Sequence, residues 1–229
     1  MIRTLTCTAL LFSFASSARA AATIVFLLDQ SGSMSSSCGP ASCYTQMTST
    51  LGATLGVYES QANIGAALFT GDGAASCPAL STVPPAPNNR PAITNLLNSS
   101  SPEGEKPLAD AIYAAIPLFA NTASPRALIA VFRGDPDTCA QPTPNAGFPQ
   151  AIAAASNAFS YGIPVIVVSL DGSSPSSLQA LANAGAGLPV GGPTNAPYYV
   201  AVLAPQMNIA FNTAVAGVLA SPIPVFPIH

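Results

Sequence analysis

Apolar runs of strand length alternate with helix-periodic segments along this chain, and that alternation constrains its fold more than any other feature. The first run, Thr23 to Leu28, is apolar almost throughout, as is typical of a strand buried on both faces of a sheet. Further strands are predicted at 64–69, 80–83, 127–132, 163–170 and 198–203, separated by apolar residues at helical spacing. The pattern predicts an α/β fold, a mostly parallel sheet with helices on both faces.

Prolines mark several boundaries within this pattern. The stretch from Pro84 to Pro91 predicts a loop after the short edge strand. Pro117 lies inside the helical pattern that begins at Leu108 and predicts a kink or an early end there. Ser174 followed by Pro175 is typical of a helix start, with a capping side chain and a first-turn proline.

The N-terminus has the features of a secretory signal peptide, residues 1–20. Arg3 precedes an apolar run, and Ala18-Arg19-Ala20 matches the small-residue cleavage pattern, which predicts cleavage after Ala20. The run is too short to cross a bilayer, so no membrane span is expected in the mature chain. We therefore expect a secreted, periplasmic or cell-surface protein with one domain at 21–220 and an irregular tail at 221–229.

Composition and cysteine content narrow the function classes. Only 7% of the residues are charged and the pI is about 4.7, which argues against nucleic acid as a partner. Four cysteines follow the signal peptide, an even number that predicts disulfides in an oxidising compartment and leaves three pairings open: Cys38, Cys43, Cys77 and Cys139. Zinc is the rival interpretation, but there is no Cys-x-x-Cys pair and His229 is the only histidine.

Polar residues that follow the predicted strands indicate where function lies, because ligands of open α/β sheets bind beyond the carboxyl ends of the strands. The first strand runs directly into Asp29-Gln30-Ser31-Gly32-Ser33-Met34. One carboxylate and two hydroxyls at alternate positions of a tight loop supply the oxygen ligands that Mg²⁺ prefers. A plain Asx or serine turn after a buried strand is the alternative explanation for the same residues.

Three segments together resemble the von Willebrand factor type A (vWA) family. The loop that begins at Asp29 resembles the family's metal-ion-dependent adhesion motif. The segment 104–112 is similar to its Gly-x-Thr-Pro-Leu stretch, and 131–139 is similar to the Thr-Asp-Gly-Glu-Pro type of segment. The resemblance implies a doubly wound, six-stranded sheet of order 3-2-1-4-5-6 with one antiparallel edge strand. It also implies that the cysteine-bearing loops share one face, which favours the pairs Cys38–Cys43 and Cys77–Cys139.

Two departures from the family pattern put the metal site in doubt. Lys106 stands where the family has a ligand threonine, and Arg133 stands where it has the second aspartate. Two fixed cations repel a divalent ion by several kcal/mol even at an effective dielectric near 20. The hypothesis is that Lys106 and Arg133 replace the ion and pair with Asp29, with Asp135 or Asp137 as a further partner, so that no cofactor is needed. A register shift that makes Asp135 the second aspartate would instead keep a degenerate site for Mg²⁺ or another divalent cation, formed by Asp29, Ser31, Ser33 and Asp135.

Most acids of the mature chain fall on this predicted strand-end face, which is either a consequence of loops carrying charges or a docking surface for a basic or Ca²⁺-bearing partner. They are Asp29, Asp72, Glu103, Glu105, Asp135, Asp137 and Asp171.

The resemblance favours a binding and adhesion module for an unidentified protein ligand, working without a functional metal site, and not an enzyme. Three alternatives remain open: a Mg²⁺-dependent vWA adhesion domain, a structural or assembly component of the cell envelope, and a hydrolase using Lys106 with Ser31 or Ser33. A Ser-His-Asp triad is excluded in practice because the only histidine is the last residue, His229. The sequence does not predict the oligomeric state.

Overall fold

A computed structural model describes residues 21–71, 76–140, 147–171 and 173–221. The signal peptide predicted at 1–20 and all but the first residue of the tail predicted at 221–229 lie outside these residues. The described strands form one sheet of order β3-β2-β1-β4-β5-β6, in which β3 is antiparallel to β2 and the other neighbours are parallel. The strands are β1 Ala22–Asp29, β2 Ala62–Thr70, β3 Ala79–Ala86, β4 Arg126–Phe132, β5 Val165–Ser169 and β6 Tyr199–Val200.

Helices connect the parallel strands and cover both faces of the sheet, as the alternating pattern predicts. They are α1 Cys43–Tyr58, α2 Arg90–Asn98, α3 Leu108–Ala115, α4 Phe148–Ser160, α5 Pro175–Gly185 and α6 Ala204–Ala220, with short 3₁₀ helices at Gly32–Ser35 and Ile116–Phe119. The predicted doubly wound α/β fold and its strand order are therefore confirmed.

The core consists of two apolar layers on opposite faces of the central strand β1, which is buried along its whole length. Ile24, Phe26 and Leu28 face one layer, where Phe26 meets Phe211 of α6 edge-on at a centroid distance of 5.8 Å. The intervening residues of β1 face the second layer, which α3, α4 and α5 cover. This sandwich holds the carboxyl ends of β1 and β4 side by side, at the position where the sequence predicts the site.

Two of the element boundaries predicted from prolines are confirmed, and the third prediction, a loop, was wrong. Helix α3 ends at Ala115 and a 3₁₀ turn carries Pro117, and Pro175 opens α5. The loop predicted from Pro84 to Pro91 was wrong at both ends, because β3 continues through Pro84 and Pro85 to Ala86 and α2 begins at Arg90. A strand at the edge of a sheet tolerates prolines, since one of its sides needs no donors.

The last strand is shorter than the sequence indicates. An extended segment is predicted at 198–203, but β6 pairs with β5 only through Tyr199 and Val200. Ser174 precedes α5 as predicted, although its side chain makes no capping hydrogen bond.

Two disulfides lie at the carboxyl end of the sheet, with the pairing that the vWA resemblance favours. Cys38 bonds to Cys43, and Cys77 bonds to Cys139 across 62 positions of sequence. Disulfides of this kind are typical of proteins that fold outside the cytoplasm. Within the described part of the chain, no helix combines the length and apolar character that crossing a membrane requires.

Candidate binding site at the strand ends

Asp29 is the last residue of β1, and its side chain is wholly buried. The backbone N–H of Ser31 donates to one carboxylate oxygen at 2.7 Å, and the backbone N–H of Arg133 donates to the other at 3.0 Å. Burial raises the pKa of Asp29, while the hydrogen bonds from Arg133 and Ser31 and the charge of Lys106 lower it in part. Both oxygens of this carboxylate therefore have partners supplied by the protein itself.

The two serine hydroxyls of the same loop bond to each other. Ser31 Oγ and Ser33 Oγ lie 2.8 Å apart, and Ser33 Oγ donates to the Arg133 carbonyl at 3.2 Å. The Arg133 guanidinium donates to the Ser33 carbonyl at 3.4 Å. The loop after β1 and the end of β4 are thus joined by hydrogen bonds in both directions, which fixes the serines beside the buried carboxylate.

The segment that carries Lys106 is anchored to the ends of β1 and β2 through its backbone. Gly71 and Glu105 exchange N–H···O bonds of 3.0 and 2.8 Å, and the Gly32 N–H donates to the Gly104 carbonyl at 2.9 Å. Gly104 has a φ of +69°, and a Cβ there would lie 2.2 Å from the Gly71 carbonyl oxygen. Only glycine fits this approach, so the loop is held in one position relative to Asp29.

Asp137 fixes the Lys106 segment from the other side. Its carboxylate accepts the Lys106 backbone N–H at 3.3 Å, and its own N–H donates to the Lys106 carbonyl at 3.3 Å. The side chain is 1% exposed, and its second oxygen has no hydrogen-bond partner among the described residues. Burial raises the pKa of Asp137 to about 6, and the neighbouring Glu105 carboxyl adds to the increase, whereas hydrogen bonding and the charge of Lys106 oppose it.

The two cations that the sequence places at the site occupy different positions around Asp29. The contact between Arg133 and Asp29 is made by the Arg133 backbone, while its guanidinium turns to the Ser33 carbonyl. A methyl group at Gly134 would lie 3.2 Å from the Lys106 ammonium nitrogen and 3.7 Å from an Asp171 carboxylate oxygen. The ammonium therefore lies against Gly134 with Asp171 nearby, and it acts on Asp29 through space.

Three features of the described residues bear on whether this site could hold a divalent metal ion. Asp29 already receives two N–H donors, the serine hydroxyls bond to each other, and Lys106 and Arg133 add positive charge. Asp135, the alternative second aspartate, is half-buried, and no hydrogen bond within the described residues joins it to Asp29 or to the serines. The described residues also include no group of three or more acidic, cysteine or histidine side chains that could hold a metal ion.

The acids predicted to form one docking surface separate into different environments. Asp29 and Asp137 are buried, Glu103 and Glu105 are exposed, and Asp72 lies outside the described residues. Asp171 is half-buried and accepts hydrogen bonds from Ser169 and Ser173. Asp110, which the sequence does not single out, accepts the Cys139 backbone N–H at 3.0 Å and so anchors the disulfide loop. The sequence offers one indication that Asp110 anchors this loop, which is its place in the first turn of the predicted helix.

Comparison with solved structures identifies the fold. A vWA protein from Catenulispora acidiphila matches with a TM-score of 0.60 and 13% identity, over 89% of this chain and 46% of that one. The pilus adhesin SpaC from Lactobacillus rhamnosus GG matches with a TM-score of 0.64 and 15% identity, over 87% of this chain and 31% of SpaC. An aerotolerance-related membrane protein from Bacteroides fragilis matches with a TM-score of 0.58 and 20% identity, over 84% of this chain and 99% of that one.

No family model and no curated protein matches the sequence. At these identities the structural matches establish the fold alone, which is a vWA-like α/β fold. This chain spans less than half of the Catenulispora protein and about a third of SpaC.

Proposed function

We propose that this chain is a secreted vWA-like binding module that takes a carboxylate of a protein ligand on Lys106 and Arg133, without a divalent metal ion. The observation that carries the proposal is the environment of Asp29, whose two oxygens accept backbone N–H groups from Ser31 and Arg133. A vWA site that coordinates a metal presents an open position to a ligand carboxylate. Here two cations at the same strand ends offer the positive charge instead.

The position of the cations supports an interaction with an acidic group. Lys106 and Arg133 are both half-buried, so solvent reaches part of each side chain. A carboxylate that met both would form charge-assisted hydrogen bonds, which are stronger than neutral ones. The neighbouring acids Glu105 and Asp171 would repel a ligand that is acidic throughout, so we expect an isolated carboxylate flanked by neutral or basic residues.

The structural neighbours are consistent with a binding role. One is named a pilus adhesin and another a vWA protein, and both share the fold across most of this chain. The predicted signal peptide and the two disulfides fit export from the cytoplasm.

A hydrolytic role has less support. A Ser-Lys mechanism needs the lysine amine within hydrogen-bond reach of the serine hydroxyl. Ser31 and Ser33 bond to each other, and the Lys106 ammonium lies against Gly134. We expect no hydrolysis of activated esters above background; turnover that is lost in Lys106→Ala but kept in Arg133→Ala would overturn this part of the proposal.

Metal titration is the direct test. Isothermal titration of the mature chain with Mg²⁺, Mn²⁺ and Ca²⁺ should show no submillimolar binding. The double variant Lys106→Thr with Arg133→Asp restores the family's ligand types and should gain such binding. Arg90→Asp, at the start of α2 away from the site, is the control for exchanging an arginine for an aspartate. Submillimolar binding by the unsubstituted chain would refute the metal-free site.

Ligand capture tests the cations themselves. Immobilised peptides with a single Asp or Glu side chain, each beside its Asn or Gln counterpart, should bind the chain only in the carboxylate form. EDTA should have no effect, and Lys106→Ala or Arg133→Ala should weaken capture at least tenfold, unlike Arg90→Ala. Capture that EDTA abolishes would indicate the metal-dependent adhesion domain. Binding to no peptide of the panel would count against the carboxylate site and favour a structural role in the cell envelope.

A further inference from the structure

The strand β6 forms one edge of the sheet and presents backbone groups on its open side. The Ala201 N–H donates to the Ser169 carbonyl of β5 at 2.8 Å. Successive residues of a strand direct their backbone groups to alternate sides, so those of Val200 and Val202 point away from β5. No strand among the described residues lies on that side. The open edge continues beyond the two residues that pair with β5, because the chain is still extended at Leu203, with a φ of −119° and a ψ of 154°.

The two edges of the sheet differ in their protection against a further strand. β3, at the opposite edge, carries Pro84 and Pro85, which have no N–H to donate. Prolines and charged side chains are common devices by which edge strands avoid pairing with another chain. The segment 198–203 contains neither, since its sequence is Tyr-Tyr-Val-Ala-Val-Leu. β6 is therefore the edge at which an additional strand can pair.

The segment around β6 is apolar on its exposed side and carries no charge. Five of the eight large apolar side chains that are exposed on the described residues fall within residues 190–209: Val190, Val200, Val202, Leu203 and Ile209. From Ser173 to Ser221 the chain contains no Asp, Glu, Lys or Arg, although the whole protein has a formal net charge of −3. Exposed apolar residues grouped in this way are typical of a surface that contacts another protein.

The absence of charge favours a second copy of this chain as the partner. In an interface with twofold symmetry each surface meets itself, so a charge near the axis would face a like charge. The β6 edge has no such conflict, and it offers an acidic or basic partner no charge to recognise. Antiparallel pairing of one edge with itself also matches the donors of each strand to the acceptors of the other.

We propose that two copies of this chain pair antiparallel through residues 198–202 at the β6 edge and join their sheets into one. With Val200 on the twofold axis, Val200 faces its own copy and Tyr198 faces Val202, which gives about six backbone hydrogen bonds. Opposite side chains then contact each other, and β-branched and aromatic pairs stabilise such a ladder. The inference is independent of the proposed function, because it concerns the side of the sheet and not the strand ends. Since the pairing is antiparallel, the two candidate sites of the dimer face opposite directions.

Sedimentation equilibrium of the full mature chain over a range of concentrations tests the proposal. The chain should associate to a dimer, and Val200→Lys should weaken the dimer at least about tenfold, because two ammonium groups then meet on the axis. Val57→Lys, at an exposed valine of α1, is the matched control and should leave the dimer unchanged. Thermal denaturation of both variants checks that they fold.

Mixing two variants distinguishes pairing of β6 with itself from association through another surface. Val200→Lys and Val200→Glu should each remain monomeric at concentrations where the unsubstituted chain dimerises. Their mixture should form a heterodimer, because the ammonium group of one variant faces the carboxylate of the other across the axis. Amide hydrogen exchange gives a second readout: exchange at Val200 and Val202 should slow as the concentration rises, whereas Ala201, already bonded to Ser169, should not respond.

Three results would overturn the proposal. A chain that stays monomeric, with exchange at Val200 independent of concentration, would leave the β6 edge to a strand of a different protein. A dimer that Val200→Lys does not weaken would place the contact on another surface. A mixture of Val200→Lys and Val200→Glu that forms no heterodimer would contradict the twofold pairing at this residue.

Discussion

Replacing Asp137 with asparagine should stabilise the protein at neutral pH, which is unusual for a buried residue in a loop. The Asp137 side chain is 1% exposed and has one oxygen without a hydrogen-bond partner among the described residues, beside the Glu105 carboxyl. Asparagine keeps an oxygen for the Lys106 backbone N–H, now accepted at 3.3 Å. Its amide N–H₂ would supply a donor toward Glu105 where the aspartate has only acceptors.

The magnitude follows from the pKa of Asp137, which rises from 3.8 to about 6 in the folded protein. Between these two values the folded state binds more protons than the unfolded state, so the free energy of unfolding falls as pH rises through this window. At 1.36 kcal/mol per pKa unit, the penalty for charging Asp137 at pH 7 reaches about 3 kcal/mol. We therefore expect Asp137→Asn to gain about 1–3 kcal/mol at pH 7 and close to nothing at pH 4.

Urea denaturation of both proteins at several pH values between 4 and 7 measures this difference. Asp29 also has a raised pKa, so the variant keeps part of the pH dependence, and only the difference between the two proteins reports Asp137. Asp110→Asn is the matched control, because Asp110 also accepts a backbone N–H of this loop but is half-buried. It should show no gain at pH 7. An Asp137→Asn variant less stable than the original at pH 7, or a difference independent of pH, would refute the reasoning.

Three further predictions concern the scaffold of the site. The unsubstituted protein should gain stability when the pH falls from 7 toward 5, since the pKa values of Asp29 and Asp137 are both raised; a flat or opposite profile in urea denaturation would contradict this. Replacing Cys77 and Cys139 with serine should cost up to roughly 4 kcal/mol, and about 2 kcal/mol is expected for the Cys38–Cys43 pair, whose loop spans 5 positions; equal losses in Tm would contradict the loop-length argument. Gly104→Ala should cost about 2 kcal/mol or more because its Cβ would collide with Gly71, whereas Gly217→Ala should cost nothing, and thermal denaturation of the two variants compares them directly.

The fold was predictable because a strand that is buried on both faces has an almost wholly apolar sequence. Each residue of β1 is buried, and the sequence from Thr23 to Leu28 is apolar almost throughout. The sequences of the edge strands are less distinctive. Pro84 and Pro85 are compatible with β3 only because that strand lies at the edge, and an edge position is a property of the whole sheet. The extended sequence at 198–203 likewise does not reveal that only two residues pair with β5.

The sequence predicts that the residues of the candidate site meet at neighbouring strand ends, but it does not predict the contacts between them. The sequence places Asp29, Lys106 and Arg133 at neighbouring strand ends, and the structure brings their segments together. It does not indicate that Arg133 reaches Asp29 through its backbone, because every residue except proline carries the same N–H group. The anchoring role of Asp137 depends on the path of the loop between β4 and α4 and on the approach of Lys106, and neither leaves a local signal.

The hydrogen bond from the Arg133 backbone N–H to Asp29 decides how the titration of the double variant with Mg²⁺ can be interpreted. If a guanidinium held Asp29, replacing Arg133 would leave a buried carboxylate without a partner, and a failure to bind Mg²⁺ could reflect misfolding. Because the donor is the Arg133 N–H, the variant Arg133→Asp keeps that hydrogen bond. The Gly32–Gly104 and Gly71–Glu105 backbone bonds likewise hold the loop that carries Lys106, whatever side chain stands there. The double variant should therefore fold, and its affinity for Mg²⁺ then reports the removal of the two cations together with the gain of two oxygen ligands.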